Sequence, residues 1–414
     1  MNVWILRARS LLQQAVSPLL RALGPDDRGQ PSSLAAHVAS AWLRLRQQGE
    51  AVLRRALAIA SASLHAAIEA WRALPVDRQR LFLTRAGIAL GLCLLLQTAW
   101  SWRHVPGHWI DSWSRPLNAA NSWHFHLQSV DIAAMEKVDA DLIVTEYSAN
   151  FGDNAPLKPA EVARLKKKPD GGKRLVIAYF SIGEAESYRF YWRPDWVGDD
   201  MPGWYVAENC AWPRNYMVRY WHDGWKDIIY RSKRSFLQRI IDAGFDGVYL
   251  DRVDVFGEQE KERPTARSDM IDFVTELAAA ARKAKPGFII IAQNGEDLLD
   301  ERRYRDVIDG LGKEDLLYGH KGTNVRNSSY EINSSLTHIN HLRWDFKPVF
   351  AVEYLSKPDL IKSARAELRG HGLIPTFAHR SLDGLDPTIE RSASTIKYGT
   401  PEWIAEQCKD KPHW

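Results

Sequence analysis

From Trp123 to Ala378 the chain carries short apolar runs set between longer polar or helical stretches. These runs predict strands at Trp123–Leu127, Leu142–Tyr147, Leu175–Ser181, Gly247–Asp251, Phe288–Ala292, Val307–Leu311, Val349–Tyr354 and Ile374–Ala378. Apolar residues at helical spacing lie between several of them, most clearly over Pro159–Lys168, Trp225–Ala243, Ser268–Lys285 and Pro358–His371. Strands alternating with helices predict a parallel sheet, and eight such units in about 290 residues predict a closed (β/α)8 barrel rather than an open doubly wound sheet. No G-x-G-x-x-G follows any strand, which argues against dinucleotide binding. The fold class is therefore α/β, a (β/α)8 TIM barrel over residues 123–385, followed by a C-terminal tail at 386–414.

The first 122 residues have another pattern. Residues 1–80 are rich in Ala, Leu and Arg, with helical spacing over Leu34–Gln48 and Ala51–Leu74 and a break at Gly24–Ser33. Leu81–Trp102 follows, and its stretch Ala86–Trp100 carries no charge. A run of that length can cross a bilayer; a buried core helix is the competing reading. Arg72, Arg78, Arg80 and Arg85 precede the run and only Arg103 follows closely, which predicts a cytoplasmic N-terminus and an exported C-terminus. The run lies too deep for a signal peptide and no small-x-small site follows it, so an uncleaved transmembrane signal-anchor at 81–102 is expected. Residues 103–122 form the linker, and the barrel is expected in the periplasm or outside the cell.

Charge sharpens this division. The net charge of +4 conceals 14 Arg, no Lys and 6 acids in residues 1–122, a balance of +8, against −4 for the remainder. The basic excess reports topology and implies no folded basic face, so no nucleic-acid partner is expected. Three cysteines, Cys93, Cys210 and Cys408, lie far apart and predict neither a disulfide framework nor a cysteine zinc site.

Barrels of this class place their chemistry after the C-terminal ends of the strands. Polar and ionisable residues recur there: Gln128 and Asp131; Glu146; Tyr179, Glu184 and Glu186; Asp251 and Asp254; Gln293, Asn294 and Glu296; Glu314 and Asp315; Glu353 and Tyr354; His379. A single such carboxylate is as well explained by capping the next helix. Carboxylates after five or more strands converging on one mouth are not. Asp246, ahead of its strand, is read as structural, whereas Asp251 emerges at the mouth with Glu314 two strands away. Two carboxylates flanking a cleft are the minimum for glycoside hydrolysis. No paired helical histidines accompany them, which argues against a catalytic zinc; clustered acids alone leave a Ca2+ or Mg2+ site open, and no metal or cofactor is assigned. The loop from Glu186 through Tyr230 holds 13 aromatics, six of them Trp, which offer stacking faces to sugar rings or pack as the loop's own core.

The runs Ser181-Ile-Gly-Glu-Ala-Glu186-Ser-Tyr-Arg189 and Gly244-Phe-Asp-Gly-Val-Tyr-Leu-Asp251-Arg-Val-Asp254, with Gln293-Asn-Gly-Glu296 and Glu314-Asp315, resemble glycoside hydrolase family 114, the endo-α-1,4-polygalactosaminidase-like barrels. The resemblance covers roughly residues 123–379 and none of the first 122. It implies hydrolysis of an α-1,4-linked galactosamine polysaccharide, with Asp251 as nucleophile and Glu314 as general acid/base in a retaining scheme. It further implies subsites lined by Tyr179, Glu184, Glu186, Asp254, Asn294, Glu296 and Tyr354, whose acids suit a cationic amino sugar. Arg252 departs from the Asn common at that point of the motif, which bears on specificity rather than on catalysis. The alternative is a carbohydrate-binding or exopolysaccharide-assembly protein that keeps the fold without turnover. A cytosolic enzyme of nucleotides or tRNA finds no phosphate loop, zinc ligands or basic face to support it.

Overall fold

The computed structural model describes residues 116–149, 155–196, 198–384, 386–388, 406, 408 and 409. All of them fall in the second of the two units into which the chain divides, Val105–Trp414. The expected helices of residues 1–80, the signal-anchor at 81–102, most of the linker and most of the tail lie outside the described residues. Among the described residues no helix is long and apolar enough to cross a membrane.

Eight strands form one parallel sheet in chain order: β1 Trp123–His126, β2 Leu142–Thr145, β3 Leu175–Ser181, β4 Gly247–Asp251, β5 Ile289–Gln293, β6 Gly310–Glu314, β7 Val349–Glu353 and β8 Ile374–Phe377. Helical segments lie in each connection between consecutive strands, as a (β/α)8 barrel requires. The seam is nearly closed: the Trp123 indole donates to Ile374 O at 2.9 Å, and the backbone N–H groups of Leu127 and Gln128 both donate to Leu382 O.

Alternation along each strand sorts the side chains into two buried sets. Trp123, Phe125, Ile177, Tyr249, Ile291, Phe350 and Val352 fill the inside, while Val176, Phe180, Val248, Leu250, Ile290 and Leu311 pack outward against the helices. The long helix Ala266–Ala284 meets that outer layer with Met270, Phe273, Val274, Leu277 and Ala281, a stripe at 3.6-residue spacing. Leu117, in the 3-10 turn Pro116–Ala119 ahead of β1, closes the bottom of the barrel, beside Gly310 at the start of β6.

Two expected boundaries are corrected. The sixth strand runs three residues later than its apolar pattern predicts, because Val307 ends the helix Arg302–Val307. The strand proper reads Gly-Leu-Gly-Lys-Glu: a Cβ at Gly312 would fall on the Tyr249 ring, so the inner layer is filled from β4 instead. The single helix expected over Trp225–Ala243 is interrupted. A turn of α-helix at Asp223–Lys226 continues as π-helix to Arg231, and a second helix, Phe236–Asp242, restarts on the Ser235 cap.

The long β3–β4 connection carries a small antiparallel sheet, with Asn215–Val218 between Glu184–Glu186 and Tyr205–Glu208. Its aromatics are mostly core. Trp204, Trp225 and Tyr220 are buried, Trp192 stacks on Tyr216 at 4.5 Å, and the Trp225 indole donates to Ile182 O at 2.8 Å. Cys210 and Cys408 are joined by a disulfide. That is one bridge rather than a framework, and it joins two of the cysteines that sequence distance had kept apart.

Candidate active site

The inward alternation that places Tyr249 inside the barrel carries Asp251 to the mouth on the same face of β4. Gly312 and Glu314 share the inner face of β6, and Val352 and Tyr354 share that of β7 and its continuation. A cavity of about 590 Å³ opens there, lined among others by Tyr179, Glu184, Glu186, Asp251, Asp254, Asn294, Glu314 and Tyr354. Phe125, Leu127 and Leu382 give it an apolar side. Glu296 is the one proposed subsite residue that the fold does not bring into this lining. Its carboxylate pairs with Lys313 at 3.1 Å and accepts from the Ser335 hydroxyl, and that company holds its pKa below the ordinary value despite its burial.

Asp251 and Glu314 are each held by a phenol. Tyr179 donates to Asp251 Oδ2 at 2.5 Å, and the Arg252 backbone N–H donates to Oδ1 at 2.8 Å. Tyr354 donates to Glu314 Oε1, while Asn294 places its amide N 3.4 Å from Oε2 and its amide oxygen 3.1 Å from the Glu314 N–H. No cation pairs directly with either carboxylate among the described ion pairs. Burial, and then the negative charge of Glu314, pushes the Asp251 pKa up to about 7. Burial also raises that of Glu314, opposed by the Tyr354 hydrogen bond. Two buried acids in one cavity, both with raised proton affinity, meet the electrostatic condition for acid/base work.

The surrounding acids are arranged differently. Arg189 is buried between Glu146, which accepts both Nη groups at 2.9 Å, and Glu186, which accepts Nε at 2.6 Å. Glu186 also accepts from Tyr188 at 2.5 Å, so it lines the cavity with its oxygens already ion-paired and hydrogen-bonded. Glu184 accepts from Asn209 at 2.8 Å, and Arg252 Nε stands 2.8 Å from the same oxygen but off the hydrogen-bonding line, a coulombic contact. Arg252 has left-handed backbone (φ 62°) and reaches Glu258 at 2.8 Å and Asp254 at 3.6 Å. Gly183 is required beside it, since a Cβ there would strike the Arg252 carbonyl.

One further residue, Arg380, completes the site. Arg380 binds Asp315 at 2.8 Å and lies 4.4 Å over the Tyr354 ring, fixing the phenol that serves Glu314. After β8 the cavity is lined by Arg380 and Leu382, not by the expected His379. Glu353 faces away from the cavity. It accepts from the backbone N–H groups of Leu317 and Tyr318 at 2.8 and 3.1 Å, holding the loop after Glu314, and burial pushes its pKa up to about 8. Asp131 caps the helix Ile132–Met135. Of the 13 loop aromatics, Tyr188 and Trp212 reach the lining, so the stacking surface is narrower than composition predicts. Among the described residues no cluster of His, Cys, Asp and Glu could hold a metal ion.

A family model for glycoside hydrolase family GH114 matches residues 109–394. A protein of Methanocaldococcus jannaschii is 36% identical over 290 residues, 68% of this chain and 79% of its own length. One of Deinococcus radiodurans is 35% identical over 273 residues, 65% of this chain and 83% of its own. The glycoside hydrolase domain of PelA from Pseudomonas aeruginosa, at 23% identity, superposes with a TM-score of 0.49 over 64% of this chain and 98% of that domain.

Proposed function

This chain belongs to glycoside hydrolase family GH114, and on that premise we propose that it hydrolyses an α-1,4-linked galactosamine polysaccharide with Asp251 and Glu314 as its catalytic pair. The observation that carries this reading is the pair itself: two buried carboxylates at the ends of β4 and β6, in one cavity, each held by a phenol and neither neutralised by a cation. In the retaining scheme the Asp251 carboxylate attacks the anomeric carbon as Glu314 gives its proton to the departing oxygen. Glu314 then takes a proton from the water that cleaves the glycosyl ester. The Arg252 N–H and the Tyr179 hydroxyl aim the Asp251 oxygens, which supports its role as nucleophile. The raised proton affinity of Asp251 is the specific observation that favours the reverse order.

Glu184, Asp254 and Glu258 surround the single Arg252, and this excess of carboxylates beside the cavity suits an amino sugar. The apolar run at 81–102 and its flanking arginines support a membrane anchor with the barrel exported. The Cys210–Cys408 bridge supports the same placement, because disulfides persist in oxidising compartments.

The test is release of reducing ends by the full chain from a deacetylated α-1,4-galactosamine polymer, its N-acetylated form and a β-1,4-glucosamine polymer. Cleavage of the first is expected, and its loss in both Asp251→Asn and Glu314→Gln. Full activity in both variants would remove the pair from the chemistry. Binding without cleavage would convert the reading to a carbohydrate-binding protein. Azide added to the alanine variants assigns roles: the nucleophile variant yields the glycosyl azide of inverted configuration, the acid/base variant the retained one. For topology, a reporter fused after Trp414 should be active only when exported.

A further inference from the structure

The β3–β4 connection returns to the cavity at Trp212, Pro213, Arg214 and Asn215. Local backbone bonds fold this stretch into a tight turn. Asn209 N–H donates to Asn215 O at 2.8 Å, Trp212 N–H to Asn209 O at 3.2 Å, and Asn215 N–H to Trp212 O at 3.1 Å. The side chains at its tip are exposed, Trp212 by 37%, and Arg214 holds a left-handed backbone (φ 73°) with its guanidinium 5.3 Å from the centre of the Tyr188 ring. Arg214 is tied by its N–H to Glu208 at 2.8 Å, by its carbonyl to the Ser187 N–H at 2.9 Å and by Nε to the Ser187 hydroxyl at 3.4 Å, whereas the Trp212 side chain is only partly fixed by packing.

Cys210 stands at the base of this turn, bonded to the buried Cys408, 198 residues away. The residue beside it, Asn209, donates to Glu184, Glu184 faces Arg252, and Arg252 follows Asp251. A covalent link from the far end of the chain thus meets the cavity rim one residue from the polar series that ends at the catalytic pair.

We propose that the Cys210–Cys408 bridge is a positioning clamp on the Trp212–Asn215 rim, so that its oxidation state sets how tightly the cavity holds a polysaccharide chain while the Asp251/Glu314 chemistry on a short substrate is kept. Opening the bridge consumes a dithiol, which becomes a disulfide as Cys210 and Cys408 become thiols. With the clamp open, Trp212 and Arg214 must be ordered by the polymer at the moment of binding. Ordering two such side chains is expected to raise KM about tenfold.

The activity arm of the test rests on the glycosidase reading; the exchange arm does not. Hydrogen–deuterium exchange and kinetics are measured on the full chain, on Cys210→Ser/Cys408→Ser, and on the wild type treated with dithiothreitol. Exchange over residues 209–217 should rise in the variant and in the reduced wild type, with β4 and β6 unchanged. KM for the deacetylated α-1,4-galactosamine polymer should rise about tenfold, with kcat on an aryl α-galactosaminide kept within about twofold. Dithiothreitol should do nothing further to the variant. Unchanged exchange over 209–217 would overturn the proposal, as would kcat on the short substrate falling in step with polymer affinity. Should the variant fail to fold, reduction of the already folded wild type decides. Should the wild type cleave no polymer, the glycosidase reading fails while the exchange data still judge the clamp.

Discussion

Strand β4 starts after Asp246 and stops on Asp251; strand β6 starts after Asp309 and stops on Glu314. The same two strands therefore carry an acid at each end. At the lower end both acids are paired. Asp246 accepts from Lys166 at 2.6 Å and from the Val176 N–H at 3.1 Å. Asp309 accepts from Arg282 at 2.9 Å and from the Ile290 N–H at 2.8 Å. Arg174 strengthens that end by donating to the carbonyls of Leu165, Val138, Lys167 and Glu136. At the upper end the acids have phenols and amides for company, and their ordinary ionisation is suppressed. Charge at the bottom locks strands together; charge at the mouth is held at a cost to stability, the expected signature of a site kept ready for proton transfer.

The largest expected effect separates the two ends by activity. Asp251→Asn should lower kcat about 10⁴-fold, whereas Asp246→Asn should leave kcat per folded molecule nearly unchanged. Initial rates normalised to folded protein by circular dichroism check this. Comparable losses at both ends would abolish the distinction drawn between them.

Stability should sort the other way. Asp309→Ala strands the buried Ile290 N–H and the Arg282 guanidinium, and should cost about 3 kcal/mol in urea unfolding. Asp251→Asn should instead stabilise, and by an amount that depends on pH. The folded pKa of Asp251, about 7, lies above its ordinary value of 3.8, so the folded state keeps a proton that the unfolded chain has released. Wild-type stability therefore falls as pH rises from about 4 to 7, and stays reduced above that window. The gain from Asp251→Asn should be near zero at pH 4 and grow to at most about 4 kcal/mol at pH 8. A gain that is flat with pH would mean that the mouth stores no such strain.

How much of this contrast the sequence displays depends on alternation. Asp251 can be placed at the mouth because Gly247, Tyr249 and Asp251 share one parity along a clear strand. Glu314 is harder to place, since Gly-Leu-Gly-Lys-Glu has no apolar run to mark it and the nearest one, Val307–Leu311, starts three residues early. The glycine at 312 answers to Tyr249 across the barrel, a contact no local pattern records. Arg380 is legible by alternation: it shares parity with the inward Ala378, whereas His379 does not. Glu296 is not, because Asn294 and Gly295 both take left-handed backbone and end the alternation that would tell which way it faces. The aromatic loop is opaque for a related reason, since Trp225 in the core and Trp212 at the rim have the same composition and different neighbours.

The finest test of the contrast is the phenol that serves Glu314. Tyr354→Phe removes a hydrogen bond that favours the ionised carboxylate, so the pKa of Glu314 should rise. If Glu314 must be protonated to act as the acid, the alkaline limb of the kcat/KM profile should move to higher pH. Tyr179→Phe should act on Asp251 in the same direction, but if Asp251 is the nucleophile its ionised form is needed, so the acid limb should move up instead. Either loss should cost about ten- to a hundredfold in kcat, the worth of one hydrogen bond to a charged group. The opposite assignment of limbs would exchange the two roles while keeping the pair. Limbs that stay fixed in both variants would mean that the phenols only pack, and that desolvation alone sets the proton affinity of the mouth.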